Sequence, residues 1–451
     1  MFRKFEVEKP ELTGRDINIA DFGAIADGKT SNTSVFKAAI EKAVTEGGGR
    51  VIVPNGIYLT GPIELKSGVE LHLSDNAIIL FDKNPIEYRL IVTDFEGIAR
   101  IRTLSPIYAE NACNIAITGN GCLNGNGDLW RPVKEFKVTK RQWERLLKRS
   151  EYVIESDEGG VWVPTKSIYD GRYAGEQFPK NYEYDKEAIE KASAYYDFYR
   201  PVMISIRNCE KVLLSDIRIQ NSPAWCVHPY FSKHVTIENV QINNPYYAQN
   251  GDGIDIESCE YVHIHHCDLQ TGDDGICLKS GKDRAARAFN GPCENVYIHD
   301  CKVGMSHGGF VIGSEMSRGV RNVLVENCSF TDSDVGIRFK SAMGRGGVVS
   351  DIYLNNILMI KMKEESLIMT MDYVHNQMDY CDKVVESEDL EDIPEFRNIY
   401  FNNCICPDKE AHYRIDGIKN HKECIHDIYF EDCCLGDGLV WGEPKSCPPN
   451  C

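Results

Sequence analysis

Three aspartates, a histidine and two cations in ordered series are the residues of this chain best placed to do chemistry. They lie in four tetrads: Asn250-Gly251-Asp252-Gly253, Gly272-Asp273-Asp274-Gly275, Ser306-His307-Gly308-Gly309 and Ile337-Arg338-Phe339-Lys340. Each adjoins a glycine, a large apolar residue and a short strand-like run, as in Gly253-Ile254-Asp255-Ile256 and Gly275-Ile276-Cys277-Leu278. The glycines Gly253, Gly275, Gly309 and Gly336 are 22, 34 and 27 residues apart, which puts one tetrad on each successive structural repeat. Aligning the glycines sets Asp252 level with Asp274, with Asp273 one residue earlier. Carboxylates this close raise one another's pKa, so one keeps its proton near neutrality while another is ionised. That division suits cleavage of an acetal, with an acid for the leaving oxygen and a base for water. A single Asp-Gly would read as an ordinary turn. The trio on adjacent repeats reads as a site.

His307 stands 11 residues after Val296, as Asp273 stands 11 after Val262, so it sits one repeat from the acids. There it can tune their protonation or hydrogen-bond a substrate, and Gly308 and Gly309 let something approach the backbone closely. Arg338 and Lys340, two residues apart on a strand of the next repeat, face the same side. They read either as a neutralising salt bridge or as a clamp for a substrate carboxylate, which suits the guanidinium fork. Lys279 can add to the same field.

The elements that must position these side chains repeat along the chain. β-Branched anchors fall at Val212, Val235, Val262, Val296, Val323, Ile352, Ile399 and Ile428, each with another apolar residue two further on. Repeats of roughly 20 to 35 residues made of short strands, with no helical patterning between them, point to a parallel β-helix. The expected fold is therefore all-β: a right-handed parallel β-helix forming a single domain over residues 1–451. Residues 17–46 give an N-terminal strand and a capping helix, with Asn32 or Thr33 as its cap and Val35, Phe36, Ala39, Ile40, Ala43 and Val44 on one face. Two stretches interrupt the repeat. Residues 131–200 are charged and aromatic, with helices expected over 140–149 and around 185–196. Residues 379–395 form an acidic loop. Insertions into a rigid solenoid crowd one face, often the binding face.

Five residues after each anchor the chain carries Ile217, Val240, Cys267, Cys301, Cys328, Ile357, Cys404 and Cys433. Cysteine thus alternates with Ile and Val at one position, as a small buried hydrophobe would, and none of the 18 cysteines belongs to a C-x-x-C pair. Reduced core thiols and a cytoplasmic location are expected, the latter because the first residues lack the apolar core of a secretory signal. The net charge of −18 without a basic stripe argues against nucleic acid. No run approaches the length of a membrane span. A local cluster of cations still permits an acidic substrate.

At these tetrads the chain resembles glycoside hydrolase family 28, the polygalacturonases and related pectin hydrolases. The family's Asn-Thr-Asp, Gly-Asp-Asp, Gly-His-Gly and Arg-Ile-Lys motifs appear here with Gly251, Ser306 and Phe339 as departures that leave the reactive side chains in place. Asp21-Phe22-Gly23-Ala24, Asn221-Ser222-Pro223-Ala224-Trp225 and Ile276-Cys277-Leu278-Lys279-Ser280-Gly281 add to the likeness. The resemblance implies hydrolysis of α-1,4-galacturonosyl bonds with inversion, on an acidic pectic polysaccharide or oligosaccharide and without metal or cofactor. It makes Asp273 the general acid, Asp252 and Asp274 the holders of water and His307 the support of the acid. Arg338 and Lys340 would bind a galacturonate carboxylate, with Tyr373, Asn250 and Lys279 as further substrate contacts. Neighbouring coils set the carboxylates about 5 Å apart, nearer the spacing of retaining than of inverting glycosidases. The 131–200 insertion resembles the loops that close one end of the groove in exo-acting members. The alternatives are a hydrolase of another pectic linkage, such as rhamnogalacturonan or xylogalacturonan, a calcium-dependent β-helix lyase, and a non-catalytic carbohydrate-binding solenoid.

Overall fold

The computed structural model describes residues 2–441 apart from 13–14, 157, 175–185, 372, 374–388, 409 and 419–420. Its body is a right-handed parallel β-helix in which each complete coil contributes three short strands. In one coil these are Glu260–His265, Asp268–Gln270 and Ile276–Lys279. The first two strand types stack into a 20-stranded sheet and the third into an 11-stranded sheet. All eight anchors fall in one column, pairing from Val212 through Val235, Val262, Val296, Val323, Ile352 and Ile399 to Ile428. Each is buried. Alternation forces this register, because a slip of one residue would turn the whole apolar row outward.

Between the first and second strands the chain turns through a left-handed residue. The positions are Asp216, Asn239, His266, Asp300, Asn327, Asn356, Asn403 and Asp432, with φ between 50° and 64°. Asn, Asp and His are the non-glycine residues that tolerate this conformation best. Along much of the column the side chains also bond from coil to coil, Asn356 to Asn327 at 3.1 Å and Asn403 to Asn356 at 2.9 Å.

The cysteine column is internal: Cys267, Cys301, Cys328 and Cys404 are buried, and the 15 cysteines described are free thiols. The capping helix spans Thr33–Thr45 and buries Phe36, Ala39, Ile40 and Ala43 against the first coils, with Val35 partly covered; Val44, expected on the same face, is exposed at the helix's last turn. Asn32 is its N-cap residue, but its side chain bonds the Ile25 N–H and the Leu59 carbonyl rather than the helix. No described helix is long and apolar enough to cross a membrane.

The 131–200 insertion holds helices at Lys140–Leu147 and Lys186–Ala192, near the expected places, and a third at Lys166–Ala174. It also contains a small antiparallel sheet, Val133–Lys134, Val153–Ser156 and Gly159–Trp162, which the sequence pattern did not disclose. A private core of Ile154, Val161, Val163 and Ile168 holds it together. A further antiparallel hairpin, Leu90–Phe95 with Ile98–Thr103, was likewise unexpected and stacks Phe95 on Trp225 at 4.3 Å. Of the acidic loop, 379–388 lies outside the described residues. Its end forms the 3-10 turn Leu390–Asp392, where Asp392 pairs with Arg284 at 2.6 Å.

Candidate active site

The 11-stranded sheet carries the site. Its central register runs Ile254, Ile276, Phe310, Ile337, Leu367, one residue per coil. Two positions before the first two of these stand Asp252 and Asp274, level as the glycine spacing requires, and the Gly253 N–H donates to the Asp274 carbonyl at 2.9 Å. The loops bearing the acids are pressed together through Ala248. A Cβ at Gly251 would lie 2.7 Å from the Ala248 Cβ, and one at Gly272 only 2.3 Å from the Ala248 carbonyl oxygen. Side chains are therefore excluded from both loops, and the acids are held at a short fixed separation. One oxygen from each of Asp252, Asp273 and Asp274 lies within 4.8 Å of the others.

Their surroundings separate them. Asp252 and Asp274 are buried, whereas the Asp273 side chain is 22% exposed and faces the cleft. Burial, then the negative field of Asp255, Asp273 and Asp274, pushes the Asp252 carboxyl well above the usual carboxylate range. Burial pushes the same way at Asp274. There Lys340, Arg338 and Lys279 outweigh it and hold the carboxyl down at about 2. Lys340 Nζ donates to Asp274 Oδ2 at 2.7 Å inside the protein. Asp252 Oδ1 and Asp274 Oδ1 are both buried without a hydrogen-bond partner among the described residues. Two unsatisfied oxygens, one on a carboxyl whose surroundings favour the proton and one on a carboxyl whose surroundings favour the charge, can seat a single polar guest such as water.

His307 stacks on Asp273 through its backbone, its N–H donating to the Asp273 carbonyl at 3.0 Å. Its Nδ1 is 3.8 Å from Asp273 Oδ1 and its Nε2 is 3.3 Å from Asp334 Oδ2, while Lys363 holds Asp334 at 2.8 Å. Asp273, His307, Asp334 and Lys363 thus form a polar column up successive coils.

The two cations have different tasks. Lys340 is committed to Asp274, whereas Arg338 Nε is buried with no hydrogen-bond partner among the described residues. The ring of Tyr373 lies under both, 5.6 Å from the Arg338 guanidinium and 5.2 Å from the Lys340 ammonium. Lys279 is buried between Glu315 at 3.2 Å and Asp255 at 3.8 Å, with its ammonium 4.7 Å from the Trp225 ring. Asn250 Oδ1 accepts from Arg200, a residue of the insertion, at 2.8 Å. All nine residues singled out in the sequence line one cleft of about 720 Å³.

Other residues of the cleft went unremarked in the sequence. Behind the lining, Asp255 is fully buried with neither oxygen hydrogen-bonded among the described residues, and its place between the core residues Ile254 and Ile256 was legible from alternation. Asp334 and Lys363 each stand 11 residues after an anchor, Val323 and Ile352, and the rule that located His307 locates them too. Lys134, Phe136 and Lys137 enter from the insertion and had no signal, because nothing in its own pattern says which way it folds. Lys137 Nζ donates to the Gly272 carbonyl, beside the acids, at 3.1 Å.

Residues 184–435 match the family model described as glycosyl hydrolases family 28. The chain belongs to that family. The family segment holds the four tetrads and all but the first coils. Among solved structures, the exopolygalacturonase of Thermotoga maritima superposes with a TM-score of 0.76 at 31% identity, covering 96% of this chain and 92% of that one. A polygalacturonase of Erwinia carotovora shares the fold at a TM-score of 0.66 and 19% identity, over 97% of both chains. The exo-poly-alpha-D-galacturonosidase of Dickeya chrysanthemi is 28% identical over 80% of this chain, which spans 58% of that longer protein.

Proposed function

We propose that this family 28 hydrolase cleaves α-1,4-galacturonosidic bonds in polygalacturonate or oligogalacturonates, with inversion, releasing galacturonate from the non-reducing end. The observation that carries the reading is the division between Asp252, pushed up, and Asp274, held at about 2, around two unsatisfied oxygens. A water seated there is held by the Asp252 hydroxyl and surrenders its proton to Asp274 as it attacks the anomeric carbon. Asp273, exposed to the cleft, protonates the departing glycosidic oxygen, with His307 beside it. Arg338 offers an uncommitted guanidinium edge to a substrate carboxylate, and Tyr373 provides an aromatic face beneath it. Lys340 keeps Asp274 ionised, a countercharge that a calcium ion would have to supply in a lyase of this fold.

A carboxylate spacing near 5 Å is ordinarily that of retaining enzymes. Inversion is nevertheless favoured, because the geometry gives two carboxyls one shared guest rather than aiming one at carbon. Exo-cleavage is supported by Lys134, Phe136 and Lys137, which come from the insertion to line the cleft, and by the likeness to exo-acting relatives.

The deciding experiment is a product time course on tetragalacturonate and longer chains. Monomer is expected as the first product, in the β-anomeric form by NMR. Early mixed oligomers would overturn the exo reading, and an initial α-anomer would overturn inversion. Asp273→Asn is expected to lower turnover by about 10²–10⁴-fold while trigalacturonate still binds. Retained turnover would remove Asp273 from the acid's role.

A cytoplasmic location is part of the same reading, supported by stacked thiols such as Cys301 and Cys328 that persist where the compartment is reducing. Short oligogalacturonates taken up by the cell would then be the substrates. Recovery of the active enzyme only from the medium would overturn this.

A further inference from the structure

Away from the cleft, on the 20-stranded sheet, four of the chain's 12 histidines gather on two adjacent coils. His263 pairs with Tyr297 and His265 with His299 in the sheet register. The His265 and His299 rings stack in parallel, 5.0 Å between centroids. His266 and Asp300, next in sequence, are the two left-handed turn residues of these coils. In the coils that follow, this column is asparagine bonded to asparagine, and before them Asn239 donates to Asp216 at 3.1 Å. At His266 and Asp300 an imidazole and a carboxylate replace the amides. One ligand atom each from His266, His299 and Asp300 falls within 4.8 Å of the others.

The geometry points to a binding site for a divalent transition-metal ion of the zinc class, held by His266, His299 and Asp300 with water completing the set. Two imidazoles and a carboxylate are a donor set that zinc accepts in tetrahedral sites. The neighbours supply what such ligands need behind them. His299 Nε2 is 2.9 Å from His263 Nε2, and its Nδ1 is 2.7 Å from Asp300 Oδ2. When metal takes Nδ1, the proton that bridged to Asp300 is carried instead on Nε2 and donated to His263, so the tautomer changes and the ring stays in place. His265 Nε2 lies 3.2 Å from Glu238, and its Nδ1 lies 2.9 Å from His266 Nδ1. With His265 donating to Glu238, His266 donates through Nδ1 and keeps a free lone pair on Nε2. His266 and Asp300 are exposed, so an ion can enter from solvent.

An ion here joins the same turn of two successive coils, the task that amide pairs perform further along the column. It clasps the solenoid and takes no part in turnover, because the acids lie on the other sheet.

The test is equilibrium dialysis of the EDTA-treated full chain against zinc chloride, with melting followed in parallel. Saturable binding of a single zinc and a raised melting temperature are expected, with turnover unchanged by EDTA. H266N/D300N, which continues the asparagine column, is expected to fold, to weaken zinc by at least about tenfold and to lose the zinc-induced shift in melting. His263→Ala is expected to weaken zinc by about 10–100-fold through the ligand it orients. Should the double variant melt early, H299Q reads the same loss. No saturable zinc in the wild type would overturn the proposal. So would zinc held equally by H266N/D300N and H299Q, since thiols or the cleft carboxylates would then be the ligands.

Discussion

Asp252 and Asp274 are the same residue type at the same register position on neighbouring coils, and their chemistry differs only because of what surrounds them. The difference has a consequence for stability. With its pKa raised in the folded chain, Asp252 binds its proton more tightly there than when unfolded. The stability it contributes is fully present below the unfolded value near 3.8 and is lost as pH rises through the folded one. At pH 7 the folded chain therefore carries a penalty that an amide, neutral at every pH, does not incur. Asp252→Asn is expected to raise the melting temperature at pH 7, with the gain shrinking toward pH 3, while hydrolysis is lost. Calorimetry of both proteins across that range checks it; a lower melting temperature at pH 7 would count against the protonated state. Asp274, held at about 2 by its cations, works the opposite way, stabilising above the unfolded value and ceasing to do so only as pH falls toward 2. The sequence made the trio legible, because glycine spacing alone set Asp252 beside Asp274. It did not reveal which acid keeps the proton. That depends on Lys340 reaching Asp274 at 2.7 Å, a partner 66 residues away.

At the scale of elements, a single register rule governs the polar edge of the cleft. Asp273, His307, Asp334 and Lys363 each stand 11 residues after an anchor, and each lands on the next coil of the same column. Asp334 touches no reacting atom in the proposed reaction and acts as a positioning residue, fixing the ring whose other nitrogen faces Asp273. Asp334→Asn keeps the shape and removes the charge facing His307 Nε2. It is expected to lower kcat by about tenfold with little change in KM, because His307 loses the partner that fixes its ring against Asp273. A rise in KM with kcat unchanged, or a loss of activity matched by a fall in melting temperature, would make Asp334 merely structural. The coils were readable because their period is long and their alternation strict. The insertion was not. Its strands run two to four residues and pair antiparallel with one another, so no repeat announces them. Two of its helices showed because apolar spacing is a local signal, as at Trp143, Leu146 and Leu147, and the third, Lys166–Ala174, did not.

For the molecule as a whole, the core is a set of columns, and each column sets its own tolerance. The position five residues after the anchors is filled by Ile217, Val240, Cys267, Cys301, Cys328, Ile357, Cys404 and Cys433. Cys328 is paired directly with Ile357 in the parallel register, and both are buried. A column that takes a branched side chain on one coil and a thiol on the next uses the thiol for its volume, not its chemistry. Cys328→Val is therefore expected to cost less than about 1.5 kcal/mol, the usual price of a near-isosteric exchange in a packed core. The same exchange at Cys267 is expected to couple to it, because the thiols of Cys267 and Cys328 both meet Cys301 on the coil between them. Chemical denaturation under reducing conditions measures both. Loss of cooperativity, or a cost above about 3 kcal/mol for either single exchange, would mean that the thiols bond their neighbours in a way volume does not capture. Cys328→Asp supplies the contrast: a charge placed there is taken out of water among buried apolar side chains and should prevent folding.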